Sequence, residues 1–469
     1  MLMNDMKNKR PFFAWALLPT VFSLAWPTML EQLMQTAVQY IDTAMVGSLG
    51  TTATAAVGST TTVNWLIGST VSAFGVGFLA YISQARGAGE FEQARNAAGQ
   101  SVLAVLVTGF VFTALTLSLS GRVPVWMRVD PAVRKSAGQY FFILYTPMLF
   151  RAASMIFGTV LRAAGDTKTP MRVGIGVNLA NVILNFLMIY PSRRLTLGSF
   201  SIPVWGAGWG VIGAAVASAA AMTLGGIAIT AALFRHKEIS PRGVSLRPDG
   251  RVLRPCLRIA FPNMLQRFAT SLGYVAFAAM INSLGQLSTA AHTIANTVES
   301  AFYIPGYGMQ AAAATLTGNC LGAKDEARRR ALARLIFLTE LSLMLLSGSL
   351  LFAFAPAMAG IFSRDARVIA LGSRVLRMVA CSEPFYGVSI VIEGMLQGAG
   401  KTKVPFMVNI LGMWGIRILG TWICTTRLGM GLVSAWGCMI GHNLLLFALF
   451  LLYYRRGRWN PLQAAGSGG

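Results

Sequence analysis

Apolar runs of about twenty residues, each long enough to cross a roughly 30 Å hydrocarbon layer, recur about twelve times along the chain. They lie near 21–47, 58–84, 97–119, 137–160, 170–190, 207–234, 259–283, 290–317, 331–355, 371–396, 404–426 and 430–454. The runs are continuous and lack the in–out alternation of barrel strands. The pattern therefore predicts an all-α polytopic membrane protein with twelve transmembrane helices.

Polar interruptions of this pattern are sparse, and the first run holds the sharpest ones. The segment AWPTMLEQLMQTAVQYIDTAMVGSLG (Ala25–Gly50) carries Pro27, Glu31, Gln35, Gln39 and Asp42. A carboxylate at the bilayer centre costs about 2.5–3.5 kcal/mol on insertion scales, so Asp42 needs a partner or a water-filled cavity. Glu31 lies eleven residues earlier, close to three turns, so the two acids share a face roughly 16 Å apart. Glu31 has an alternative as a snorkelling or capping residue near the helix end. Pro27 lacks a backbone donor and marks a candidate hinge; Glu31, Gln35 and Gln39 are candidates for the wall of a substrate cavity.

The chain also says nearly the same thing twice. A shift of 235 residues lays Ala25–Ala56 on Ala260–Ala291 with twelve of 32 positions identical, Gly87-Ala88 on Gly322-Ala323, and LRAAGDTKTP (161–170) on LQGAGKTKVP (396–405) with six of ten identical. One offset kept over three blocks predicts an internal duplication. Six helices per copy is an even number, so both halves share one orientation and the repeat axis lies along the membrane normal. The expected division is an N-terminal lobe 1–234, a basic linker 235–258 and a C-terminal lobe 259–469. The copies differ where charge sits: Asp42 aligns with Phe277, Glu31 with Gln266 and Gln32 with Arg267.

Composition narrows the class further. The 469 residues are 55% hydrophobic and 12% charged, with a mean hydropathy of +0.59. A net charge of +23 raises the question of nucleic acid, but the basic residues cluster between the apolar runs. With the N-terminus inside, 25 of the 39 Lys and Arg fall on inner segments, 11 on outer ones, and Arg151, Arg267 and Arg417 within spans. This bias fits the positive-inside rule with both termini cytoplasmic, so no nucleic-acid partner is expected and the basic residues read as topology and lipid contact. The five cysteines show no CxxC spacing and read as packing residues. The N-terminal MLMNDMKNKRPFF lacks a cleavable-signal layout, and the tail Gly466–Gly469 is set aside as a cloning remnant.

Other constellations follow from helical spacing. Asn178, Asn181 and Asn185 form one stripe of the fifth run, offering either oxygens to a hard cation or interhelical packing bonds; packing is the reading for Asn178, a site with Asp42 for Asn181 and Asn185. Gly206, Gly208, Gly210 and Gly213 open a small-residue face on the sixth run, and Ser218 can add a hydroxyl to the same pocket or bond its own backbone. The second half holds Glu299, Glu340, Glu383 and Glu393 against Arg267 and Arg417, some of which can form structural pairs. Glu340 and Glu383, placed near span ends, read as structural. Glu299, with Tyr303, Tyr307 and the helix-breaking Pro305-Gly306, reads as a cavity surface for a cationic substrate, and His292 as structural. No Walker loop, HExxH, nucleophile elbow or dinucleotide turn occurs in its required context, so an enzyme is not expected.

These motifs together, YIDTAMVGSLG in the first run, GAGDTKTP and GAGKTKVP, the NxxxN of the fifth run and ESAFYIPGYGMQAAAATLTGNCLGA in the eighth, resemble the multidrug and toxic compound extrusion (MATE) family, with DinF-related members nearer than NorM-type ones. The resemblance implies two six-helix lobes forming a V. It also implies export of organic, often cationic or amphiphilic, drugs or toxic metabolites by Na⁺- or H⁺-coupled antiport with alternating access. Carried over by position, it implies coupling at Asp42, Asn181, Asn185 and Ser218, with Asp42, Asn181 and Asn185 holding the cation if the ion is Na⁺. The seventh- and tenth-helix acids of another branch match Thr270 and Tyr386, so the resemblance gives no C-lobe site there; Glu299, Glu393 and Arg267 remain substrate-cavity candidates. No cofactor beyond the coupling ion is implied. The expected setting is the bilayer of the cell inner (plasma) membrane, the partner a small organic substrate, and the working unit a monomer. A flippase for lipid-linked precursors is the alternative, through Arg151, Arg267 and Arg417.

Overall fold

The computed structural model describes residues 15–127, 129–197 and 200–464. The basic residues Lys7, Lys9, Arg10 and Arg128 and the Gly466–Gly469 tail lie outside them. Twelve long helical segments follow one another: α1 Leu18–Gly47, α2 Thr51–Gly87, α3 Phe91–Leu119, α4 Pro131–Tyr145 with Met148–Ala163, α5 Lys168–Ile189 and α6 Gly210–Arg235. The second six are α7 Gly250–Asn282, α8 Gln286–Gly322, α9 Glu326–Phe362, α10 Ala366–Ala380 with Glu383–Gly398, α11 Lys403–Arg427 and α12 Leu432–Arg455. Among the described residues, ten are long and apolar enough to cross a bilayer, counting each bent pair as one. The other two are α1 and α8, which carry many of the intramembrane polar side chains expected from the sequence. They pack against each other: the Tyr40 hydroxyl donates to the Thr297 carbonyl at 3.2 Å, and Gly308 admits Met29.

The duplication is visible in the breaks as well as the helices. α4 bends by 52° between Tyr145 and Met148, and α10 by 53° between Ala380 and Glu383, at positions 235 residues apart. The GAGDTKTP and GAGKTKVP turns share a left-handed glycine, Gly165 at φ +84° and Gly400 at φ +72°, a conformation open to glycine at little steric cost.

The lobes meet on a local twofold at the end of the bundle that carries these basic turns. There α2 and α8 come within backbone contact: a methyl group on Gly87 would lie 2.0 Å from the Asn319 carbonyl oxygen, and one on Gly322 would lie 1.9 Å from that of Gln84. Gly87 and Gly322 are one offset apart, as are Gln84 and Asn319. Gln84 Nε2 also donates across the lobes to the Gly398 carbonyl at 2.8 Å. A Cβ at Gly322 must push the helices apart, so Gly322→Ala is expected to lower the midpoint of thermal unfolding in detergent, costing about 1–3 kcal/mol as overpacking does. Gly47→Ala, where nothing lies within 4 Å, is the control expected to leave it unchanged.

The linker is shorter than the sequence indicates, residues 236–249, because Arg251–Arg258 already belong to α7. It is strapped to α3: Arg95 Nε donates to the Ser240 carbonyl at 2.9 Å, Gln100 Nε2 to that of Arg247 at 2.9 Å, and Asn96 to Asp249 at 3.0 Å. Asp249 caps α7 through the Arg251 N–H at 2.9 Å, and that bond with the Asn96 contact holds its carboxyl below the usual range.

Several sequence expectations are corrected. Gly206 and Gly208 do not open the sixth helix: the strands β1 (Pro191–Leu197) and β2 (Phe200–Ala207) pair antiparallel there, and α6 begins at Gly210. Pro305-Gly306 does not break α8, which runs on through its proline; Pro27, the candidate hinge, lies inside a continuous α1. Glu340 lies mid-helix in α9, fully buried, and Glu383 at the bend of α10, not at span ends.

Candidate functional site

α1, α5 and α6 lie side by side in the N-terminal lobe and bring four polar side chains together. Asn181 and Asn185 stand one turn apart on α5, so both amides point the same way. Asn185 Nδ2 donates to Asp42 Oδ1 at 2.6 Å and to Asn181 Oδ1 at 3.2 Å, and Asn181 lies 3.1 Å from Ser218 Oγ on α6. Asn181 and Asn185 are buried, at 7% and 1% exposure, and the Asn185 Oδ1 acceptor has no partner among the described residues. Asn178, the third residue of the stripe, does not join the cluster.

The Asn181 amide can face Asp42 with either its nitrogen or its oxygen, and the two choices have different chemistry. With its nitrogen toward Asp42 it donates to both carboxylate oxygens at 2.8 and 2.9 Å and accepts from the Ser218 hydroxyl at 3.1 Å. Turned over, it sets an amide oxygen against those same two oxygens, an arrangement that needs a proton or cation between them. The donor set (carboxylate, two amide oxygens and a hydroxyl) fits a hard monovalent ion.

The other candidates are dispersed. Glu31 does not snorkel; Arg162 Nη2 of α4 donates to both its carboxylate oxygens, at 2.8 and 2.7 Å, with the side chains 20% and 18% exposed. Gln35 and Gln39 lie on the exposed face of α1. Glu299 is buried at 6% exposure. Tyr303 and Tyr307 form an aromatic group with Tyr386, whose hydroxyl lies 3.3 Å from that of Tyr307. Glu393 accepts from Gln266, Gln397 and Asn409.

Among the described residues, the acid–guanidinium pairs allowed for in the second half do not form. The Arg417 guanidinium lies over the rings of Phe277 and Tyr274, at 4.2 and 4.8 Å, and that of Arg151 lies 5.2 Å from the Tyr145 ring. Arg267 makes no ion pair among the described residues. Phe277, the counterpart of Asp42, packs edge-on against His292, whose Nδ1 accepts from Trp436 Nε1 at 3.2 Å. Where one lobe holds a carboxylate among amides, the other therefore holds an aromatic cluster.

Arg162 was the residue missed. It could have been found from the repeat, since the offset that turns Glu31 into Gln266 turns Arg162 into Gln397.

The comparisons with known proteins fit this architecture. The MatE family matches residues 27–187 and 262–423, two copies starting one offset apart. Relatives include "Probable multidrug resistance protein NorM" of Thermotoga maritima, 27% identical over 94% of this chain and 92% of that protein. Another is "Uncharacterized transporter YisQ" of Bacillus subtilis, 24% identical over 94% of both. These names do not support the closer likeness to DinF-related members expected from the sequence. Solved structures with the same fold include a MOP superfamily transporter from Pyrococcus furiosus, at TM-score 0.85 and 23% identity over 95% of this chain and 96% of that one. A Vibrio cholerae MATE transporter superposes at TM-score 0.86 and 21% identity over 96% and 99%. With the family matched in both halves and the twelve-helix, two-lobe fold shared, the chain belongs to the MatE family of membrane transporters.

Proposed function

We propose that the protein is a secondary exporter of organic, cationic or amphiphilic compounds, driven by Na⁺ or H⁺ moving inward as substrate moves out. The cluster of Asp42, Asn181, Asn185 and Ser218 carries this reading, since three polar residues from two helices gather at the Asp42 carboxylate of a third, which has no cationic partner among the described residues. The multidrug names of several relatives point to the substrate class.

In the mechanism that follows, an ion arriving from outside binds Asp42 and the Asn181 amide turns its oxygen toward it. When the ion leaves, the amide turns back and donates to the bare carboxylate. Occupancy thereby changes the bonding between α1, α5 and α6, and the change is passed to the lobes, which expose the cavity alternately to each side. Pro27 lowers the resistance of α1 to bending. One net charge crossing 100 mV supplies about 2.3 kcal/mol, which supports a gradient of some tens-fold.

The basic linker and turns support a reading in which both termini are cytoplasmic at the inner membrane and residues 1–234 and 259–469 are the moving lobes of a monomer. No observation favours the flippase reading, because Arg151 and Arg417 lie against aromatic rings. Efflux of a cationic dye panel from proteoliposomes, under separately imposed Na⁺ and H⁺ gradients, tests the proposal. One gradient should accelerate efflux of at least one dye; equal rates with and without either gradient would refute it.

A further inference from the structure

Two of the five cysteines touch. Cys424, near the end of α11, and Cys438, in the second turn of α12, bring their sulfurs to 3.9 Å, across the short turn of residues 428–431 that joins the two helices. Gly420 permits the approach: a methyl group there would lie 3.1 Å from Cys438 Sγ and 3.6 Å from its Cβ, and Cys424 stands one turn further along the same helix. Both cysteines of the pair are half-buried, whereas Cys256 and Cys320 are buried and Cys381 is exposed. None of those three has a thiol partner among the described residues.

The first lobe has no equivalent. At the offset of 235, Cys424 becomes Ile189, the last residue of an α-helix without irregular turns. α11 instead contains two wide π-turn segments, Leu411–Ile418 and Ile423–Arg427, and Cys424 lies in the second. Such winding is rare and is normally confined to single turns, so a tie to α12 would hold this end of α11 in place.

Position decides the chemistry open to the pair. α11 starts at the basic turn that carries Lys401 and Lys403, and Cys424 lies 21 residues beyond Lys403. That is about 30 Å at helical rise, the thickness of the hydrocarbon layer. With the basic turns on the cytoplasmic side, Cys424 and Cys438 sit at the outer end of the bundle, where thiols are not kept reduced as they are in the cytosol. Cys256 and Cys320, near the inner ends of α7 and α8, stay in the reducing compartment.

We propose that Cys424 and Cys438 are a disulfide-forming pair at the outer end of the C-terminal lobe, oxidised by a low-molecular-weight disulfide. The outer location rests on the cytoplasmic placement of the termini; the pairing does not. In the first exchange the Cys424 thiolate attacks one sulfur of the small disulfide, which leaves a mixed disulfide on Cys424 and releases one small thiol. The Cys438 thiolate then attacks Cys424 Sγ and displaces the second small thiol. The two protein thiols lose two electrons and two protons, and the small disulfide takes them up to become two thiols. The sulfurs close from 3.9 Å to about 2 Å by side-chain rotation on adjoining helices. The bond ties α12 to the helix that holds the Arg417 guanidinium over Phe277 and Tyr274 of α7.

Trypsin cuts after Arg417 and Arg427, so the two cysteines fall on separate peptides, 418–427 and 428–455, and mass spectrometry reads the bond directly. Full-length protein carrying Cys381→Ser, which removes the exposed one of the five thiols and leaves four, is treated in detergent with oxidised glutathione and then alkylated. Free thiols should fall from four to two, with the two peptides recovered as one linked species. Cys424→Ser or Cys438→Ser in the same background should yield no linked peptide. Four free thiols after treatment, or glutathione adducts on Cys424 or Cys438 without the linked peptide, would overturn the proposal. Oxidised glutathione crosses bilayers poorly, and added to intact cells after a washed-out reductant it should still close the pair. Closure only after permeabilisation would overturn the outer location, and the placement of the termini with it, while the antiport reading would stand.

Discussion

Arg162→Gln is expected to destabilise the protein by about 1–3 kcal/mol, less than the 3–5 kcal/mol seen when a fully buried pair loses one partner, because solvent reaches both side chains. The damage comes from the Glu31 carboxylate, which loses both charge-assisted bonds within a helix bundle. Arg162 also stands at the meeting of the lobes, since its carbonyl accepts from Thr315 of α8 at 3.2 Å. The second repeat supplies the rescue. Glu31→Gln combined with Arg162→Gln installs the Gln266/Gln397 combination, so the double variant should recover most of the loss. A thermal-unfolding double-mutant cycle in detergent should yield a coupling of about 1–3 kcal/mol; two losses that simply add would show that the pair is not coupled.

The sequence carried much of this fold because helical periodicity and a fixed offset are local signals. All twelve apolar runs correspond to helices, and the repeat alignment anticipated which lobe holds Asp42. The hairpin of β1 and β2 was hidden beside two apolar runs, since a short exposed ribbon offers little periodicity. Partners were less legible than positions. Asn181 and Asn185 can be put on one face by spacing, and a site shared with Asp42 and Ser218 is one reading of that stripe, but which helix they face depends on tertiary packing, and the resemblance singles that reading out. The same gap explains Glu31, whose partner lies 131 residues away, and Glu340, whose full burial depends on which helices pack against its face of α9.

Asp42→Asn carries the largest functional effect. The substitution keeps shape and hydrogen-bonding capacity while removing the charge that draws the ion, so the helices should pack as before. What it removes is the difference between occupied and empty states, and a ligand can shift a conformational equilibrium only by its differential affinity for the two states. Gradient-driven efflux should therefore fall about a hundredfold or to background, with purification yield and thermal midpoint near wild type. Substrate exchange without a gradient should persist, because the organic cavity is left intact.

The most direct measurement compares wild type and Asp42→Asn in one proteoliposome preparation, following a transported dye first under an imposed ion gradient and then in equilibrium exchange. The account predicts that the variant loses gradient-driven accumulation and retains exchange. Gradient-driven accumulation equal to that of wild type would contradict it, and would show that the carboxylate among the amides of α5 is not where ion and substrate are coupled.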